Sequence, residues 1–147
     1  MRIIHQVQEC VERLRPLVEA RGARLEVLPA EPLPPVRFDP EAVHQILQNL
    51  IDNAEKYGRS DDRRIEVSTE STPEGVRLSV RDHGPGIPAS LGNRVFRAFQ
   101  RGDAVDSPAG LGLGLALVQS LARSQGARAG VEVPPGGGAR FTVDFAA

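Results

Sequence analysis

Cysteine is almost missing from the sequence: Cys10 stands alone among 147 residues. One thiol cannot close an internal disulfide, and no spacing of Cys and His suggests a metal clip. A charge of one sign is missing too. With 18 basic and 19 acidic side chains the formal net charge is −1, which leaves no broad cationic face for a phosphate backbone and argues against nucleic acid as a partner. There is no long apolar run. Met1-Arg2-Ile3-Ile4-His5 leads directly into charged sequence, so neither a signal peptide nor a membrane span is expected, and a cytoplasmic setting is. Internal repeats are absent as well, and the length suits one domain, 1–147, able to bury roughly two thirds of its unfolded surface.

What is present is ordered punctuation. Ile3, Val7, Cys10, Val11, Leu14, Leu17 and Val18 recur at threes and fours, predicting a helix to about Arg21 that Gly22 can close. Leu25 to Leu28 reads as a short strand. Pro29, Pro32, Pro34 and Pro35 then impose an extended connection, within which Val36-Arg37-Phe38 reads as a second brief strand. Asp39-Pro40 is a good helix start, and the helix should run to Tyr57. Ile65, Val67 and Thr69 alternate, as do Val76, Leu78 and Val80, predicting an antiparallel hairpin. A short helix is expected over 92–99 around Phe96 and Phe99, followed by a polar loop at 101–109. A third long helix should open near Gly112 and end near Gly126. The last hairpin pairs Val131 and Val133 with Phe141, Val143 and Phe145 across a Pro134-Pro135-Gly136-Gly137-Gly138 turn. Hairpins instead of alternating β-α units predict an α/β two-layer sandwich: a mixed, mostly antiparallel sheet covered on one face by three helices.

Three segments carry candidate chemistry. On the second helix, Val43, Ile46, Leu47, Leu50, Ile51 and Ala54 share a core stripe, and Asn49, Asn53 and Lys56 fall on the neighbouring one. A rigidly held amide oxygen suits Mg²⁺, which usually takes the rest of its shell from water and phosphate, and Asn53 is the candidate ligand. Lys56, one turn on, can reach a phosphate. Such residues also serve as ordinary solvated surface. The second segment is Asp82-His83-Gly84-Pro85-Gly86-Ile87, at the end of a strand. There the glycines allow close backbone approach to a planar ligand, and a buried carboxylate would accept from the exocyclic amine of adenine but would find no donor on guanine at that position. A plain Asx turn is the alternative. The third segment, Gly110-Leu111-Gly112-Leu113-Gly114-Leu115, lies at a helix N-terminus, where free amides attract anions. Glycines for helix packing or a hinge are the alternative there. Leu111, Leu113 and Leu115 read as a wall and not as solvent-facing residues.

Taken in order, these motifs resemble the catalytic and ATP-binding domain of sensor histidine kinases, in the superfamily that includes the Hsp90 chaperone, DNA gyrase and MutL. Asn49 to Tyr57 is similar to the family's N box, Asp82 to Ile87 to its first glycine box, Phe96 to Phe99 to its F box, and Gly110 to Gly114 to its second glycine box. The resemblance implies the Bergerat-type fold, ATP and Mg²⁺ as ligands, and Asn53, Lys56 and Arg101 as the catalytic set. Asn53 would bind the metal, and Lys56 and Arg101 would contact phosphate. Asn49, Tyr57, Asp82, Gly84, Gly86, Ile87, Gly110, Gly112, Gly114 and Leu115 would line the nucleotide site, with Tyr57 on the adenine and Asp82 reading it. The 101–109 loop would be a mobile lid. Leu111 departs from the Thr often found in the second glycine box, so a hydroxyl contact to phosphate is lost. No phosphoacceptor histidine is found: His5 has no adjacent acid, His44 reads as surface, and His83 fills a variable position. The implied partners are therefore a histidine-bearing dimerisation domain elsewhere in a longer kinase and, indirectly, a response regulator, with this domain itself a monomer. A glutamate that would make the domain a hydrolase is replaced by Asn49. A degenerate module acting only through protein contacts is the remaining alternative.

Overall fold

The computed structural model describes residues 2–57, 60–84, 109–132 and 134–147, without the side chains of Tyr57 and 109–115. The helices are α1 (Ile3–Ala20), α2 (Pro40–Tyr57) and α3 (Ala109–Ser124). The strands are β1 (Arg24–Val27), β2 (Arg64–Thr72), β3 (Gly75–Arg81), β4 (Arg128–Glu132) and β5 (Arg140–Ala146). The strands form one sheet in the order β1-β2-β3-β5-β4. Only β1 and β2 pair in parallel, in register from Arg24↔Arg64 to Val27↔Val67. The other neighbours are antiparallel. The mixed, mostly antiparallel sheet with its helical layer is thus as the sequence predicts.

Period-two and period-3.6 patterns meet in one aliphatic core. Ile65 and Val67 of β2, Val76, Leu78 and Val80 of β3, and Phe141, Val143 and Phe145 of β5 are buried against α1, α2 and α3. From α2 come Val43, Ile46, Leu47, Leu50 and Ile51, all fully buried. The opposite face of the sheet carries charges in matched pairs: Arg77 donates from Nε and Nη2 to both carboxylate oxygens of Asp144, at 2.7 and 3.1 Å, directly across the ladder. Because Leu50 lies where α2 meets the rest of the core, Leu50→Ala should lower unfolding stability by about 2–5 kcal/mol in a urea titration.

Local signals set the helix ends. Asp39 caps α2, its carboxylate accepting from the Glu41 amide at 3.0 Å and its carbonyl from the Val43 amide at 2.9 Å. Gly22 follows α1 at φ +89°, the left-handed position that ends a helix. Gln125, just past α3, accepts from the Asp39 amide at 2.8 Å and so ties the end of α3 to the start of α2. At the other end of α2, Glu55 is 1% exposed and faces Arg63 at 3.4 Å and Arg21 at 3.9 Å, which fastens that end to the α1 terminus and the approach to β2. No helix among the described residues is long and apolar enough to cross a membrane.

Four expectations need correction. Val36-Arg37-Phe38 is not a strand: the segment stays irregular, with Val36 and Phe38 resting against the core and no ladder to join. Leu17, expected on the core stripe of α1, is 50% exposed. The stripe narrows there to Leu14 and Val18. His44 is half-buried, not surface, its Nδ1 lying 3.3 Å from the Cys10 sulfur across the α1–α2 seam. Burial pushes that thiol's pKa up, with Glu9 adding to the effect, which keeps it protonated and chemically quiet. Finally, α3 begins at Ala109 and not near Gly112.

Candidate nucleotide site

Asp82 is the first residue past β3, and it is 5% exposed. The pairing of β3 with β5 ends formally at Arg81↔Arg140, yet it continues by one step: the Asp82 amide donates to the Ala139 carbonyl at 3.0 Å. The Ala139 amide in turn donates to Asp82 Oδ1 at 3.2 Å, and the Gly84 amide reaches the same oxygen at 3.0 Å. Both amides therefore converge on Oδ1. No donor among the described residues reaches Oδ2, which is left as the acceptor for an incoming group. Burial raises the carboxyl above its ordinary range, and the amides of Gly84 and Ala139 oppose that shift without reversing it. The Asx turn and the base-reading carboxylate, alternatives in the sequence, are compatible here: one oxygen holds the turn and the other remains available.

His83 fixes the same turn from outside. Its Nε2 lies 2.5 Å from Glu66 Oε1 and its Nδ1 3.8 Å from Asp62, and its carbonyl accepts from the Ser60 hydroxyl at 2.7 Å. Asp62 is itself gripped by Arg64, whose side-chain and backbone bonds hold the carboxyl far below the usual carboxylate range. The sequence offered no local signal for this cluster.

Along α2 the candidate residues part company. Asn53 is 6% exposed, and its amide nitrogen is buried without a partner among the described residues. A buried amide left unpaired is costly in a folded chain and calls for an explanation. An acceptor such as a phosphate oxygen would supply that partner to Nδ2, which fits a residue facing phosphates, with Oδ1 the atom that would hold a metal. Asn49, half-buried, donates instead to the carbonyl of Gln45 at 2.8 Å, turning its amide nitrogen back on its own helix. Lys56 is exposed in the last turn. Tyr57 closes α2, its side chain outside the described residues.

α2 packs against β2, β3 and α3, which places the Asn53 helix beside the strand leading to Asp82 and beside the helix bearing the second glycine run. Gly110, Gly112, Gly114 and Leu115 lie inside the first two turns of α3, not ahead of it. Since the amide of a helix's fourth residue already donates to the carbonyl before the helix, as Val43 does to Asp39 in α2, the amide of Gly110 lacks an internal partner and is open to an anion, and those of Gly112 and Gly114 are not. Gly86, Ile87, Arg101, the expected helix at 92–99 and the 101–108 part of the expected lid lie outside the described residues.

Comparison with known proteins bears on the fold and the family. The family profile described as histidine kinase-, DNA gyrase B- and HSP90-like ATPase matches residues 38–147. The adaptive-response sensory kinase SasA of Nostoc sp. (strain PCC 7120) is 33% identical over 133 residues, 90% of this chain and 33% of that one. Full-length ShkA in complex with AMPPNP superposes with a TM-score of 0.79 at 29% identity, covering 99% of this chain and 30% of that chain. The mycobacterial sensor histidine kinase MprB gives a TM-score of 0.76 at 25% identity, covering 99% of this chain and 95% of that one. The chain spans about a third of the length of the SasA relatives it matches. With the fold, the motif order and the profile match in agreement, the chain belongs to the histidine kinase-, DNA gyrase B- and HSP90-like ATPase family.

Proposed function

We propose that the chain is the ATP-binding catalytic domain of a sensor histidine kinase, which binds Mg-ATP and donates the γ-phosphoryl group to a histidine on a separate dimerisation domain. The observation that carries this reading is Asp82: a carboxylate buried at a strand end, with one oxygen taken by two backbone amides and the other without a donor among the described residues. Support comes from relatives that are sensor kinases by name and from a structural neighbour that holds an ATP analogue.

In this reading Oδ2 of Asp82 accepts from the adenine amine. Asn53 presents its amide at the phosphates and would hold Mg²⁺ through its amide oxygen, and the ion would supply neutralisation of phosphate charge. The Gly110 amide in the first turn of α3 cradles phosphate, the glycines at 112 and 114 leave room for it to approach, and Lys56 and Arg101 add positive charge. Phosphoryl transfer needs little covalent help from the protein beyond this positioning. The acceptor nitrogen forms the new bond to phosphorus as the bond to the β-phosphate oxygen breaks and ADP leaves. A response regulator would be served through that acceptor, and the domain itself would remain monomeric in the cytoplasm.

Hydrolysis as the main activity is disfavoured by Asn49. An amide bonded to its own helix cannot take a proton from water. The domain alone should therefore bind ATP but turn it over slowly. Label from γ-labelled ATP should appear as acid-labile phosphohistidine only when a histidine-bearing dimerisation domain is added. Vigorous turnover by the domain alone would overturn the proposal.

A further inference from the structure

We propose that the β4–β5 turn is a purine-selecting element: Gly138 and Ala139 set the position and roll of the Asp82 carboxylate, so base preference depends on this turn as well as on the first glycine box. The inference rests on Asp82 as the base-reading acid and goes on to name what aims it.

Gly136, Gly137 and Gly138 all have positive φ, at +92°, +97° and +81°. They differ in what surrounds them. A Cβ on Gly137 would meet nothing within 4 Å, whereas a Cβ on Gly138 would sit 2.0 Å from the Asp82 carbonyl oxygen and 3.1 Å from the His83 Cα. Backbone contact that close cannot be relieved by rotating a side chain, so either the turn or the Asp82–His83 peptide must move. Ala139, the next residue, exchanges two hydrogen bonds with Asp82, one to its backbone and one to Oδ1. The turn is also tied to the residue before the acid, since Arg81 Nη2 donates to the carbonyls of Pro135 and Gly137 at 3.1 and 3.4 Å. Asp82 is thus clamped from the β4–β5 side by backbone, and from its own loop by the Gly84 amide. A shift of the turn moves Oδ2 away from where an exocyclic amine must be met, and a site built for one hydrogen bond discriminates only while its acceptor is in place.

The test compares Gly138→Ala, Gly137→Ala and Ala139→Pro, with Asp82→Asn as reference, by calorimetric affinity for ADP and GDP and by circular dichroism of the folded state. Gly137→Ala imposes the same backbone strain with no clash, so it should lower Tm but keep the wild-type ADP-over-GDP ratio. Gly138→Ala should lose at least about tenfold of that ratio at temperatures where it is folded. Ala139→Pro, which deletes the amide donor to Oδ1 and puts a ring carbon in its place, should narrow the ratio as well. A folded Gly138→Ala with the wild-type ratio would overturn the proposal, as would outright unfolding of both Gly138→Ala and Ala139→Pro, since the turn would then be purely structural. If Asp82→Asn itself leaves the ratio unmoved, the assignment of Asp82 fails first and takes the proposal with it.

Discussion

Replacing Asp82 by Asn should weaken ATP binding by about 10- to 100-fold, the size of one lost hydrogen bond to a charged group, while leaving the empty domain at least as stable as the wild type. The two effects have one origin. Asp82 is buried, and that burial raises its pKa in the folded chain above the unfolded value. Between the two values the native state holds a proton that the unfolded state has released. Stability therefore falls as pH rises through that window, and the deficit persists at neutral pH, where the carboxylate is ionised. An amide carries no such deficit. Its oxygen can still accept from Gly84 and Ala139, which turns its NH₂ toward the base. There it would oppose the amine of adenine and suit the carbonyl of guanine, so discrimination should shift toward GTP. Wild-type ATP affinity should also decline as the pH is lowered into the raised carboxyl window, and this decline should vanish in Asp82→Asn. Chemical denaturation of the empty domain and isothermal titration across pH read the two halves separately. A variant that is less stable and yet binds ATP normally would be inconsistent with both.

The second large effect is at Asn53. Asn53→Ala should reduce Mg-dependent phosphotransfer to an added acceptor by about 100-fold or more, as expected for loss of a group that orients charge at the reacting phosphate. ATP binding in the presence of a chelator should change much less. The substitution should not lower Tm, because it removes a buried amide nitrogen that has no partner among the described residues. Asn53→Asp keeps a hard oxygen at the same place and should retain part of the activity. Equal losses with and without Mg²⁺ would assign Asn53 to the nucleotide instead of the metal.

The elements legible in the sequence were those whose signals are local. Apolar stripes located α1 and α2, alternation located the hairpins, and Asp39-Pro40 located the start of α2. The burial of Asp82 follows from its position after an apolar strand and before glycines. Non-local contacts were not legible. Stripe periodicity gives the direction of a helix face but not its edge, which is why Leu17 is exposed. Val36 to Phe38 has strand composition, but prolines precede it and no neighbour pairs with it. His44 acquired its burial from α1, and His83 its partners from β2 and the residues before it. Ala139 lies 57 residues from the acid it holds. The only hint of that contact was the run of three glycines beside it. On the site itself, the sequence put Asn53 on the second helix and Asp82 at a strand end, but it did not show that Asn49 turns back on its helix or that Gly112 and Gly114 lie too deep in α3 to offer free amides.

In the proposed function one side chain grips the metal-bound phosphates while another reads the base. Calorimetric titration of ATP into the wild type, Asn53→Ala and Asp82→Asn, each with and without Mg²⁺, tests this most directly. Wild-type binding should strengthen with Mg²⁺. Asn53→Ala should lose that increment alone, and Asp82→Asn should lose affinity under both conditions. Magnesium-dependent binding of wild-type strength in both variants would contradict it.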